Sequence, residues 1–241
     1  MAEDRLERIL AALSSGGEAA PGTARVCEVC ADVVGVSGAG IMLMSGDVPG
    51  GAVCTTNRVS SLIEELQYTL GEGPCVDAYH SDRPVLEPDL ADPDTPRWHA
   101  FTPPAVEAGA RAIFGFPLQA GAVRFGALNL YRDQPGPLTD DQYADALVLA
   151  GVAARAVLAM QAPAPPGELG AELEAGANFR FAVHQAAGMV SVQLGVSVAE
   201  ALVRLRAYAF GNNRLLTEVA EEVVNRQLRL DDHRPGAEPG H

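Results

Sequence analysis

The 241-residue chain contains no lysine. That absence excludes a phosphate-loop lysine, a Schiff-base lysine and the lysine that pairs ATP phosphates in kinases. The sequence also lacks H-E-x-x-H and G-x-S-x-G, so the common zinc-protease and serine-hydrolase signatures are missing. No enzymatic activity is therefore expected. The N-terminus, MAEDRLERIL, is charged and has no hydrophobic signal region. The longest weakly polar run, Ala146 to Met160, is interrupted by Arg155 and is short for a bilayer span. A cytoplasmic protein without membrane attachment is the expectation. Cysteine is scarce, at four residues in the pattern C-x2-C-x23-C-x20-C (Cys27, Cys30, Cys54, Cys75). A zinc site would need a second close pair. Cys27 and Cys30 have redox spacing but sit within a helical pattern rather than at a helix start, so buried reduced thiols are expected.

What is present is a large apolar fraction, 48%, which supports a packed core. The formal charge of −14 is unevenly spread. Residues 1–177 hold 10 arginines and 24 acidic residues, whereas 178–230 hold 6 arginines and only 4 acidic residues. The one cationic segment permits a polyanionic partner there.

Hydrophobic spacing orders the chain as α, α, β, β, α, α, β, α, β, β, α up to about Met160. Helices are expected from Glu3 to Leu13, Thr23 to Val34 and Arg58 to Tyr68. Strands are expected at Ala39–Met44, Ala52–Thr56 and around Pro84–Glu87. A helix over Trp98–Gly109 should break near Pro103–Pro104. Ala112–Gln119 and Val123–Tyr131, joined at Ala120–Gly121, read as a hairpin. Thr139 with Gln142 forms a capping box that starts the next helix. An antiparallel sheet with helices grouped around it, in an α+β fold, is the architecture this order favours. The proline-rich QAPAPPG then marks a linker.

Beyond it, three helical patterns carry apolar stripes: Val183, Ala186, Ala187, Val190 and Leu194; then Val198, Ala201, Leu202, Leu205 and Ala209; then Leu216, Val219, Ala220, Val223 and Val224. Ser197 and Glu200 suggest a second capping box. Glu168 to Ala177, with Leu169 and Leu173, resumes helical content and could pair with its copy in a dimer.

The segment LGEGPCVDAYHSDRPVLEPDL and the hairpin RAIFGFPLQAGAVRFGALNLYRDQPGPLT, with its FPL…GALNLY pattern, resemble a GAF sensory domain over roughly residues 5–160. That resemblance implies a small-molecule site beside the short helix, or a module that only dimerises. Cys75 and His80 are then candidate ligand-binding residues, with His99 a further loop histidine, and a haem or redox sensor using Cys75, Cys27 or His80 stays open. No cofactor follows from the residues. HQAAGMV and LGVSVAEALVRLRAYAFGNNRLLTEVAEEVV resemble an ANTAR domain, an RNA-binding module of transcription antitermination regulators. The expected organisation is a GAF domain over 1–161, a linker over 162–167, a three-helix ANTAR bundle over 168–230 and a disordered tail over 231–241.

The resemblance implies a homodimeric regulator that binds tandem RNA hairpins in leader transcripts. RNA loops are read by bases stacked on aromatics or guanidinium planes, with arginine on phosphate. Candidate RNA-binding residues are Gly188, for close approach, and Arg204, Arg206, Asn213 and Arg214. Arg204 and Arg206 lie off the apolar stripe and should be exposed. Tyr208 could stack a base or pack at the rim, and Arg226 and Arg229 fit the last turns of the third helix. Ala187 stands where the family usually has a lysine or another polar residue. A phosphate contact made from that position elsewhere would be missing here. A bundle that only dimerises or docks a protein is the alternative.

Overall fold

The computed structural model describes residues 2–15, 22–45, 48–94, 96–163, 178–212 and 214–230. It divides into two compact units, Met1–Asn178 and Phe179–His241. Residues 164–170 and 171–177, most of the expected linker and the lead-in to the terminal helices, lie outside the described residues, as does the expected tail over 231–241.

The first unit is built on five antiparallel strands in the order β2-β1-β5-β4-β3. These are β1 (Gly38–Ser45), β2 (Val48–Thr55), β3 (Val85–Glu87), β4 (Ala112–Ala120) and β5 (Val123–Arg132). The helices are α1 (Ala2–Ser14), α2 (Thr23–Val34), α3 (Arg58–Leu70), α4 (Pro74–Ser81), α5 (Thr102–Glu107) and α6 (Asp140–Gln161). The element order is the one the sequence predicts.

Alternation along the strands sorts the side chains between two faces. Ile41, Leu43, Phe114, Phe116, Leu128 and Leu130 pack with residues of α1, α2 and α6 in one core. Ile113 and Tyr131 point the other way, into a second core with Ile63, Leu90, Trp98 and Phe101. Because both faces are covered, β4 is buried almost continuously.

Boundaries differ from expectation where turn chemistry decides them. β2 begins at Val48, so Pro49 lies within a strand and pairs with Met44. β2 is an edge strand, where a missing N–H is tolerated. Pro103 and Pro104 open α5 rather than break a longer helix, because the first helical turn has no use for their N–H groups. The Thr139–Gln142 capping box forms as expected. Asn57 and Ser60 make another at the start of α3. α6 is 22 residues long, long and apolar enough to cross a membrane by length and composition. Its Ala146, Leu149, Ala153 and Val157 are instead buried in the first core.

The cysteine expectation is corrected. Cys27 on α2 and Cys54 on β2 form a disulfide, while Cys30 and Cys75 are buried free thiols. Cys27 therefore pairs across the core, not with its neighbour at redox spacing. Burial pushes the Cys30 thiol up to about 12, which leaves it protonated and inert.

The second unit contains α7 (Asn178–Leu194), α8 (Val198–Gly211) and α9 (Leu216–Val224). The buried residues of α8 and α9 match the predicted stripes, as do Val183, Ala186, Ala187 and Val190 of α7. Val198 is 52% exposed in the first turn of α8, and Leu194 and Val224, also on the predicted stripes, are half-buried. Gly195, at φ 66°, turns the chain between α7 and α8, whose axes differ by 104°. Ser197 accepts from the Glu200 N–H at 3.1 Å, but the Glu200 carboxylate pairs with Arg204, so only half of the expected capping box forms. α9 ends at Val224, earlier than expected, and Arg226 follows it in the left-handed region at φ 59°.

The disulfide closes a sequence separation of 27 residues. Cys54→Ala should lower the unfolding free energy by about 3 kcal/mol in urea titrations of the oxidised protein. Reduction with dithiothreitol should bring the wild type to the same midpoint as the variant.

Candidate functional site

Two places carry candidate functional groups, one in each unit. The first lies between the sheet and α3. The apolar residues of α3 bury Ile63 and Leu66, as its spacing predicts. Beside them runs a polar stripe at helical spacing: Ser60, Glu64 and Gln67 are 2%, 2% and 0% exposed. Ser60 is occupied in the capping box. Glu64 and Gln67 point at a sheet row in which Asn129 of β5 pairs with Gly40 of β1 on one side and Gly115 of β4 on the other.

The glycines make this packing possible. A Cβ on Gly40 would lie 2.5 Å from Glu64 Oε1, and one on Gly115 would lie 2.5 Å from the Pro74 carbonyl oxygen. A Cβ on Gly73, before α4, would meet Gln67 Cγ at 2.6 Å.

Gln67 Oε1 accepts the Cys75 N–H at 2.7 Å. Gln67 Nε2, Asn129 Oδ1 and both Glu64 oxygens are buried without a hydrogen-bond partner. Such groups are rare in native structures and call for an explanation. Burial raises the Glu64 carboxyl to about 8; the nearby Asn129 amide pulls it down by less, without closing a bond of ordinary geometry. Burial, and then the Glu64 charge, raises the Cys75 thiol well above its usual range, against a smaller lowering by Gln67. Glu64 and Cys75 are therefore both held towards their neutral forms.

Cys75 and His80, both candidate ligand-binding residues from the sequence, lie in different surroundings. Cys75 is fully buried in this cluster. His80, five residues on along α4, is exposed and lines an open cleft of about 590 Å³ with Asp77, Arg83 and Arg97. In that cleft Asp77 accepts the Trp98 indole N–H at 2.9 Å, and Arg97 stacks over the Trp98 ring at 4.5 Å. His99 is exposed.

In the second unit, Arg204 and Arg206 are half-buried rather than exposed. Arg204 donates to Glu200 at 2.8 Å. Arg214 makes a two-pronged ion pair with Glu222, at 2.9 and 2.8 Å, across the turn between α8 and α9. The Glu222 carboxylate raises the Arg214 pKa, and Arg214 in turn lowers that of Glu222. Asn213 lies outside the described residues. Gly188 is half-buried, with nothing within 4 Å of an added Cβ, so no part of its own chain requires a glycine there. Ala187 is 1% exposed and belongs to the core. Tyr208 is half-buried.

A family model described as GAF domain matches residues 23–158, more than half of the chain, and one described as ANTAR domain matches residues 171–224. The chain belongs to the GAF domain family and carries an ANTAR domain after it. Among solved structures, it is similar to the GAF domain of an Acinetobacter phosphoenolpyruvate-protein phosphotransferase, at 14% identity and TM-score 0.48, covering 68% of this chain and 96% of that one. The corresponding GAF domain from Coxiella burnetii gives 13% identity and TM-score 0.49, covering 67% and 95%. A free methionine-R-sulfoxide reductase from Neisseria meningitidis gives 14% and 0.44, covering 64% and 87%. No curated protein matches.

The ANTAR match stops at Val224, where α9 also ends. Within the GAF domain, sequence reasoning missed the Glu64–Gln67–Asn129 cluster because the apolar stripe of α3 masked it. The available signal was the Ser60, Glu64, Gln67 spacing, which adds a polar line to the helix edge next to Ile63.

Glu64 gives a pH dependence of defined sign. Its folded pKa lies above the unfolded one, so the folded state holds a proton that the unfolded state releases. The stabilisation is fully present below about pH 4.5 and is lost as pH rises through about 8. Glu64→Gln should match the wild type near pH 5 and exceed it in stability at pH 8.5, by on the order of 3–5 kcal/mol. Urea unfolding at the two pH values reads this directly.

Proposed function

We propose that this protein is a cytoplasmic, non-enzymatic regulator in which the GAF domain receives a signal and the ANTAR domain binds RNA. In this reading a homodimer engages tandem hairpins in a leader transcript and keeps a terminator from forming. The observation that carries it is the ANTAR match over residues 171–224. Charge supports it, because 178–230 holds 6 arginines against 4 acidic residues where 1–177 holds 10 against 24. Arg204 and Arg206, within one turn of each other on α8, are the leading phosphate and base contacts. Open space at Gly188 supports close approach of a partner backbone to α7.

Arg214 enters in a second way. Its guanidinium is already held by Glu222, so phosphate has to displace a carboxylate there. A surface exchange of that kind is close to neutral in free energy; Arg204 faces the same exchange against Glu200, through one contact where Arg214 has two.

Exposed apolar side chains favour a second reading, a docking or dimerisation surface. Val203 and Phe210 on α8 are 62% and 58% exposed, and Val192 on α7 is 85% exposed. A bundle used only for protein contacts would leave such residues uncovered in the single chain.

Gel-shift titration with tandem-hairpin RNA separates the two. RNA binding should weaken steeply with salt, and Arg204→Ala should reduce the slope of log K against log salt by about 0.7–0.9. Salt-insensitive or absent binding, with tight dimers by sedimentation, would favour the protein-contact reading.

A further inference from the structure

With the Glu64 carboxyl ionised, the buried cluster on α3 holds more unpartnered acceptors than donors. Both Glu64 oxygens and Asn129 Oδ1 lack a partner, against the single unpartnered donor Gln67 Nε2. The three side chains are 2%, 3% and 0% exposed. The elements packed against Glu64 bring no positive charge. β1 contributes Gly40, β5 contributes Asn129, and α4 contributes the Cys75 thiol. Neither arginine nor histidine acts on the carboxyl. A buried carboxyl in such surroundings stays neutral until a cation arrives.

We propose that this cluster binds a small cation bearing N–H donors, of the size of ammonium or methylammonium, on the Glu64 carboxylate and the Asn129 carbonyl oxygen. The proposal rests on the sensor reading of the GAF domain and names the class of signal. Geometry sets the size. Glu64 and Gln67 pack directly against Gly40 and Gly73, in the space Cβ atoms there would take, which favours a small ligand over a large one. Donor chemistry sets the type. Three acceptors suit the directed N–H bonds of an ammonium head. A divalent metal needs six or more oxygens or several anionic ligands, and the described residues hold no group of three or more histidine, cysteine or acidic side chains that could supply them. The binding step balances in charge. The Glu64 O–H bond breaks, its proton leaves to buffer, and the cation takes its place on the carboxylate.

The test uses the full chain and chloride salts of ammonium, methylammonium, tetramethylammonium and potassium at constant ionic strength. Thermal unfolding should show a saturable rise with ammonium and methylammonium alone. Glu64→Gln should weaken that response about tenfold or more. Calorimetry of the unmodified protein with methylammonium, which stays protonated throughout, in two buffers of different ionisation enthalpy should show close to one proton released per cation at pH 7 and markedly less above the Glu64 pKa of about 8; this readout needs no variant to fold. An equal response to potassium overturns the N–H requirement. No response to any cation, the outcome expected if water alone satisfies the cluster, overturns the site. Hairpin RNA binding is scored separately. A protein that binds RNA but not ammonium overturns this proposal and leaves the RNA reading standing. One that binds ammonium but not RNA supports the site and overturns the RNA reading.

Discussion

The GAF domain depends on how closely α3 and α4 approach the sheet, and that distance is set by the glycines beside Asn129. With Cβ atoms at Gly40 and Gly115 the helices would be pushed off, because one would strike the Glu64 carboxyl and the other the Pro74 backbone. Backbone cannot rotate away as a side chain can, so Gly115 is the stricter of the two. The same closeness that builds the second core forces Glu64, Gln67 and Asn129 out of water. Their polar atoms are the consequence of a packing distance, and a distance that leaves polar atoms unpaired is stable only if enough apolar burial accompanies it. Ile63, Leu66, Trp98 and Phe101 supply that burial in the same layer.

Most of the fold was legible because period-2 and period-3.6 patterns are local. The element order of the first unit and the stripes of α8 and α9 needed no knowledge of the partner surface. The misreadings share a cause, namely that the deciding partner is distant in sequence. Cys27 is bonded to Cys54 on another element, and nothing in a helical C-x2-C reports it. Pro49 could stand in a strand only because that strand has no neighbour on one side. Pro103 and Pro104 are the local exception. Their effect depended on whether they began a helix or interrupted one, and the flanking residues served either reading.

The candidate site was less legible than the fold. Arg204 and Arg206 were placed correctly on α8, but their exposure was not, since long side chains lay their stems along the protein surface. Ala187 is instructive in the other direction. A residue that differed from the family pattern looked like a lost surface contact, yet the position faces the core, where alanine is suited to close helix packing.

Charge in the ANTAR domain is constrained more than its net value suggests. Glu200 holds Arg204 and Glu222 holds Arg214, so two of the arginines that could meet phosphate are already neutralised at short range. Such pairs contribute little to stability on an exposed surface, but they fix the guanidinium planes and set a threshold that a competing anion must pass. A single phosphate gains little by displacing one carboxylate. Under the RNA reading, a folded RNA that presents several phosphates at once would displace both carboxylates while releasing counterions. Under that reading the two glutamates would weaken isolated anions more than a dense polyanion of matching spacing.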